Sequence, residues 1–151
     1  MNMQFEINVL SNKHDVMQAL GDNIEKALEE CGMAARRYAK QKITQELKMS
    51  PEGWYKRTGA LRNNINYAVD TKAGTMTVGS PQEYAPYFEL GTGIYTPGGR
   101  RTPWGYIGND GEVHFTHGMP PRPFIKPAIE DHISKYRQII LANLKDNGGI
   151  V

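Results

Sequence analysis

The sequence predicts an α+β fold: a small antiparallel sheet packed by a long N-terminal helix and a C-terminal helix, with a long Gly/Pro-rich loop. Three observations predict it. Apolar residues recur at alternating spacings of three and four from Met17 to Tyr38, and a second stripe runs from Ile129 to Leu144, as on one face of a helix. Short stretches around Phe5, Ile65 and Met76 alternate apolar with polar residues, the period of a strand with one buried face. From Gly91 to Pro123, glycine, proline and threonine dominate and the apolar stripe disappears.

Phe5, Ile7 and Val9 alternate with Glu6 and Asn8, a short strand. Asn12 to Asp15 supply a cap-like start for the long helix, whose stripe is Met17, Leu20, Ile24, Ala27, Cys31, Ala34 and Tyr38, drifting to Ile43 and Leu47 before Ser50-Pro51 ends it. Its charges divide: Asp15, Asp22, Glu25, Glu29 and Glu30 come first, then Arg36, Arg37, Lys40, Lys42 and Lys48. The signs suit the helix dipole at both ends, and the division reads either as a solvated face or as a surface for head-to-tail subunit packing.

Thr58 to Arg62 forms a short helix with Thr58 as N-cap. Ile65 to Val69 and Met76 to Val78 form a hairpin turning at Lys72-Ala73-Gly74. Ser80-Pro81-Gln82-Glu83 has capping-box spacing, predicting a helix that runs to Leu90 and stops at Gly91; Pro86 inside it allows a start one turn later. Trp104, Tyr106, Val113 and Phe115 flank Asn109-Asp110-Gly111, which predicts an exposed hairpin. The last helix begins near Pro127, with Glu130 and Asp131 in its first turn, Ile129, Ile133, Tyr136, Ile140 and Leu144 on one face, and Asn147-Gly148-Gly149 closing it.

Residues 1–151 read as one domain with a loop excursion over about 92–122. No apolar run approaches the ~20 residues of a bilayer span, and Met1 to Glu6 lack the order of a signal peptide, which implies folding in a cytosol. Cys31, the one cysteine, lies on the helical stripe and reads as a small buried hydrophobe. The net charge of +2 does not itself call for nucleic acid.

Chemistry-bearing patterns are sparse. His114 and His117, three apart on a strand, diverge to opposite faces, which argues against a metal site. Gly79-Ser80-Pro81 is no nucleophile elbow, and Gly91-Thr92-Gly93 follows a helix and lacks a Walker lysine. Glu89 and Asp110 could converge only by long-range folding. Arg100 and Arg101, with Arg122 and Lys126 near in sequence and Tyr95, Trp104 and Tyr106 flanking, form a basic aromatic tip. That composition suits a solvated loop tip, a protein interface or a nucleic acid.

Tyr84-Ala85-Pro86-Tyr87-Phe88-Glu89-Leu90-Gly91-Thr92, then Pro121-Arg122-Pro123-Phe124-Ile125-Lys126-Pro127-Ala128, resembles the Hong Kong 97-like phage tail-component family. Thr58-Gly59-Ala60-Leu61-Arg62-Asn63-Asn64-Ile65 resembles a third segment of the family, in the family's order, so that the resemblance spans roughly residues 12 to 146. Gly59, Leu61, Arg62, Tyr84, Glu89, Gly91, Thr92, Pro123, Phe124 and Pro127 carry it. Pro86-Tyr87 departs from the helix-compatible pair expected there. The resemblance implies a virion component of the neck or tail end that joins head and tail, made in the host bacterial cytoplasm. It also implies a homo-oligomeric ring in the particle, no catalysis and no cofactor; the lack of a long apolar run adds no membrane partner.

The motif residues then have structural jobs: Gly91 ends the short helix, Thr92 or Glu89 satisfies free backbone groups, Phe124 is buried beneath the hairpin, and Pro127 starts the last helix. Gly93 to Met119 would order on contact with a head connector, tail tube or tail terminator, with Tyr95, Arg100, Arg101, Trp104 and Tyr106 as the interface. The alternatives are a nucleic-acid-binding accessory protein using Arg100 and Arg101, and an uncharacterised hydrolase.

Overall fold

The computed structural model describes residues 3–8, 13–48, 59–108 and 110–145, with side chains described at 21, 23–46, 59–108 and 110–145. In chain order it runs β1 (Met3–Asn8), α1 (Lys13–Lys48), α2 (Ala60–Asn63), β2 (Asn66–Asp70), β3 (Thr75–Ser80) and α3 (Ala85–Leu90). A single 3-10 turn (Gly93–Tyr95), β4 (Trp104–Ile107), β5 (Val113–Thr116), α4 (Ile125–Glu130) and α5 (Ile133–Lys145) follow. β3 is the centre of an antiparallel sheet in the order β1-β3-β2, and β4 and β5 form a separate hairpin. The α+β class read from the sequence is the class observed.

Alternation places the sheet. Met76 and Val78 of β3 are buried, while Asn66, Ala68 and Asp70 of β2 are exposed on the other face. Ala68 lies opposite Thr77 and Val69 opposite Met76, a register set by the short turn around Gly74. β1 completes the sheet with Ile7 opposite Met76.

α1, kinked at Gly21, lies on β2 and β3, and α5 packs along it. The predicted stripe Ile24, Ala27, Cys31 and Ala34 is buried, as is Ile43 on its continuation, but so are Leu28, Ala35 and Ala39 off that line. A helix covered on two sides needs a wider apolar arc than a one-partner stripe. Gly32 shows how close the layers come: a Cβ there would sit 2.2 Å from the Tyr67 ring. With the ring seated on bare helix backbone, the Tyr67 hydroxyl donates to Glu29 at 2.7 Å. On the other side Asn143 donates to Glu30 at 2.9 Å, and the Tyr38 ring stacks on His132. Burial pushes the Cys31 thiol up to about 11, as expected of an inert core cysteine.

Other expectations are corrected. Ser80 caps no helix; it is the buried last residue of β3, and α3 starts at Ala85. Pro86 decides this, because a proline is accommodated in a first turn, where its missing N–H is not needed, and not in a helix interior. The last helix begins at Ile125, not Pro127, and is broken between Glu130 and Ile133 into α4 and α5. Glu130 therefore ends α4 instead of starting a helix, and the break turns Ile133 outward to 47% exposure while Tyr136 stays buried. The short helix α2 has Gly59, not Thr58, at its N-cap position, because it starts at Ala60. The proposed cap at Asn12, the stop at Ser50-Pro51, Val9, the turn residue Asn109, Asn147-Gly148-Gly149 and the side chains of Met17, Leu20 and Leu47 lie outside the described residues.

Candidate functional site

The segment after α3 is fastened by backbone groups. The Thr92 N–H donates to the Met119 carbonyl at 2.9 Å, and the Met119 N–H returns to Thr92 Oγ1 at 2.9 Å. Ile94 donates to the His117 carbonyl at 3.0 Å, and Arg122 to the Phe88 carbonyl at 2.8 Å. The two backbones approach so closely that only glycine fits at Gly93, where φ is 61° and a Cβ would lie 1.9 Å from the His117 oxygen. The result is a closed neck from which residues 95–116 project as an arm.

Glu89 anchors that neck. Its carboxylate is 3% exposed and accepts three backbone N–H bonds: Phe124 at 2.7 Å and Ile125 at 3.0 Å on one oxygen, Lys126 at 2.8 Å on the other. These are the free donors at the start of α4, whose N-cap residue Phe124 offers no side-chain cap. A carboxylate from α3 thus does the work of an N-cap across 35 to 37 residues of sequence, with the helix dipole favouring its charge.

The other family-motif residues surround this anchor or the short α2. Gly59 holds the N-cap position of α2 at φ 73°, Leu61 is buried, and Arg62 is exposed. Tyr84 occupies the N-cap position of α3, and Gly91 ends it at φ 77°. Phe124 is fully buried edge-to-face on Phe88, so the main core covers it rather than the hairpin, which packs substantially on no other helix or strand. Pro123 and Pro127 are half-buried, Pro127 within the first turn of α4.

The described residues of Gly93 to Met119, the segment the sequence marks as ordering on contact, form an arm. It holds the 3-10 turn and the β4–β5 hairpin, with Gly105 opposite Phe115, Tyr106 opposite His114 and Ile107 opposite Val113. Facing pairs share a side of the ribbon. Tyr106 and His114 stack at 5.6 Å between centroids on one side. Ile107, Val113 and Phe115 lie on the other, 76%, 65% and 77% exposed.

Of the expected interface residues, Tyr95 is exposed, Trp104 is half-buried under the Arg100 guanidinium, and Arg101 donates to the Ile94 carbonyl at 3.2 Å. Both arginines brace the base of the arm. The apolar side was the missed feature, since it depends on the cross-strand register.

The two carboxylates that could have converged lie apart. Glu89 is spent on backbone amides, and Asp110 pairs with His114 at 2.8 Å on the exposed arm. Among the described residues there is no group of three or more side chains able to hold a metal, and no helix is long and apolar enough to cross a membrane.

Residues 8–91 match the family described as "Bacteriophage HK97-gp10, putative tail-component". The match covers more than half of the chain, and the chain belongs to this family of phage tail components, structural rather than catalytic. It contains the segments around Gly59-Leu61-Arg62 and Glu89-Gly91, while Pro123-Phe124 lies beyond it. No curated protein and no solved structure matches the chain.

Proposed function

We propose that the protein is a neck or tail-end component of a phage or prophage particle that joins head and tail through protein–protein contacts. In this reading the whole chain is one tail-component unit, made in the bacterial cytoplasm and incorporated into the virion. Its partners are a head connector, tail tube or tail terminator, and it works as a member of a homo-oligomeric ring, with neither catalysis nor a cofactor.

The observation that carries the reading is the uncovered side of the arm. Three large apolar side chains, all at least 65% exposed, stand together on a two-stranded ribbon that covers none of them. Burying each against a partner contributes about 1.5–3 kcal/mol before the costs of association. Exposed apolar groups so clustered mark interaction surfaces. The family supplies the class of partner: other structural proteins of the virion.

The test replaces Ile107, Val113 and Phe115 together by serine and follows assembly. Complete heads and complete tails that fail to join are expected. Normal joining by a folded triple variant would overturn the proposal.

A further inference from the structure

The tip of the arm differs from its apolar side. Asp110 and Glu112 are exposed there, on either side of the Gly111 turn. Asp110 accepts the Glu112 N–H at 3.0 Å and pairs with His114, and these bonds hold its carboxyl below the usual carboxylate range. The tip is a compact acidic knob.

Elsewhere on the molecule is a surface of the opposite sign. Arg36, Arg37 and Lys40 from the second half of α1 and Arg62 from α2 line, with Met33 and Gln41, an open concavity of about 530 Å³. Among the described residues no carboxylate lies within ion-pair distance of any of the four cations. The Arg36 and Arg37 guanidiniums lie instead over the Tyr67 and Tyr38 rings, at 5.3 and 5.2 Å. Like charges three and four apart on a helix repel one another. That cost stands in the isolated chain and is relieved when an anionic group occupies the concavity. Met33, a lining residue 48% exposed, offers an apolar contact that favours a polypeptide over a phosphate backbone.

The same chain carries a matching knob but does not use it on itself, since neither β4 nor β5 packs substantially on α1 or α2. We infer that the acidic tip of one copy's arm seats in the basic concavity of a second copy. Knob and concavity are different surfaces, so the contact is heterologous and each copy offers one of each. The inference rests on reading the hairpin as a docking arm but engages its tip, leaving the apolar side for the head or tail partner. A tip in a shallow concavity buries little area, so the contact between two free copies is weak and sensitive to salt.

Zero-length carbodiimide coupling of the full chain tests this, with a mixture of isotopically labelled and unlabelled protein separating links between copies from links within one. Links between copies from Lys40 to Asp110 or Glu112 are expected at low ionic strength and lost in half-molar salt. Sedimentation should show Glu112→Lys, and separately Arg37→Glu with Arg62→Glu, each weakening association at least tenfold, and an equimolar mixture of the two restoring it.

A chain that stays monomeric at every concentration, or whose association ignores both reversals, overturns the inference. So does a concavity that binds duplex DNA while Glu112→Lys leaves association unchanged. Self-association through the tip combined with normal joining by the serine triple variant would strike the proposed function instead. Failed joining without tip-dependent association would strike this inference alone.

Discussion

Glu89 is where the structure makes its sharpest energetic claim. Replacing it by alanine removes a buried carboxylate and strands three backbone N–H groups at the start of α4. A buried donor left without a partner costs about 1–3 kcal/mol, and loss of a helix cap about 0.5–2. These overlap, and a vacated cavity of this size can admit water, so the expected loss for Glu89→Ala is about 3–5 kcal/mol. Glu89→Gln separates charge from shape. Its amide oxygen can still accept from Phe124 and Ile125, which share one carboxylate oxygen, but its NH2 group then faces the Lys126 N–H, donor against donor. Losing the charge and one bond should cost about 2 kcal/mol. Small domains hold only about 5–15 kcal/mol in all, so both losses are measurable by urea unfolding. Hydrogen exchange gives the local reading: the amides of Phe124, Ile125 and Lys126 should lose protection in both variants. A glutamine variant within 0.5 kcal/mol of the parent, with those amides still protected, would refute the assignment of Glu89 as the remote cap of α4.

Three further outcomes follow from close approaches and charge. Gly32→Ala gains about 1 kcal/mol of helix propensity but drives a methyl into the Tyr67 ring, so a net loss of about 1–3 kcal/mol in thermal or urea unfolding is expected. Gly93→Ala cannot keep its positive φ and its contact with His117 together, so limited proteolysis should cut the arm faster while the core, followed by tryptophan-independent circular dichroism, stays folded. Asp110 has its pKa lowered by the Glu112 N–H and by His114, so its contribution to the tip is present above the unfolded-state pKa and is lost as pH falls through the folded one. An NMR titration should therefore place its midpoint below 3.8, and His114→Ala should move that midpoint upward.

What the sequence revealed and what it hid divide along a physical line. Periods of two and of three to four were readable wherever an element had one buried side, as with β2, β3 and the stretch Ile24 to Ala34. Turn chemistry was readable too: Gly74 and Asp110-Gly111 sit where the two hairpins reverse, and Pro86 delayed α3 as its ring requires. The second buried side of α1 was not readable, because Leu28, Ala35 and Ala39 meet partners that no local pattern names. The break between α4 and α5 preserved apolar spacing in the sequence while moving Ile133 off the packed face. Glu89 could be guessed as a satisfier of backbone groups, but its partners lie 35 to 37 residues away. The basic concavity needed α2 folded beside α1 before Arg62 could join Arg36 and Lys40.

The position of the neck links the family to the arm. The matched segment ends at Gly91, one residue before the backbone joins Met119. Glu89 and Phe88, inside the match, hold Phe124 to Lys126 and Arg122, outside it, through four hydrogen bonds: three from backbone N–H groups to the Glu89 carboxylate and one from the Arg122 N–H to the Phe88 carbonyl. The scaffold therefore sets the direction in which the arm leaves, while the arm's own residues set what it can touch. A substitution in the neck should misdirect the arm without altering a single contacting atom, and a substitution on the Ile107-Val113-Phe115 side should alter the contact without moving the arm. Proteolysis at the neck distinguishes the two, since only the first kind exposes the backbone between Thr92 and Met119.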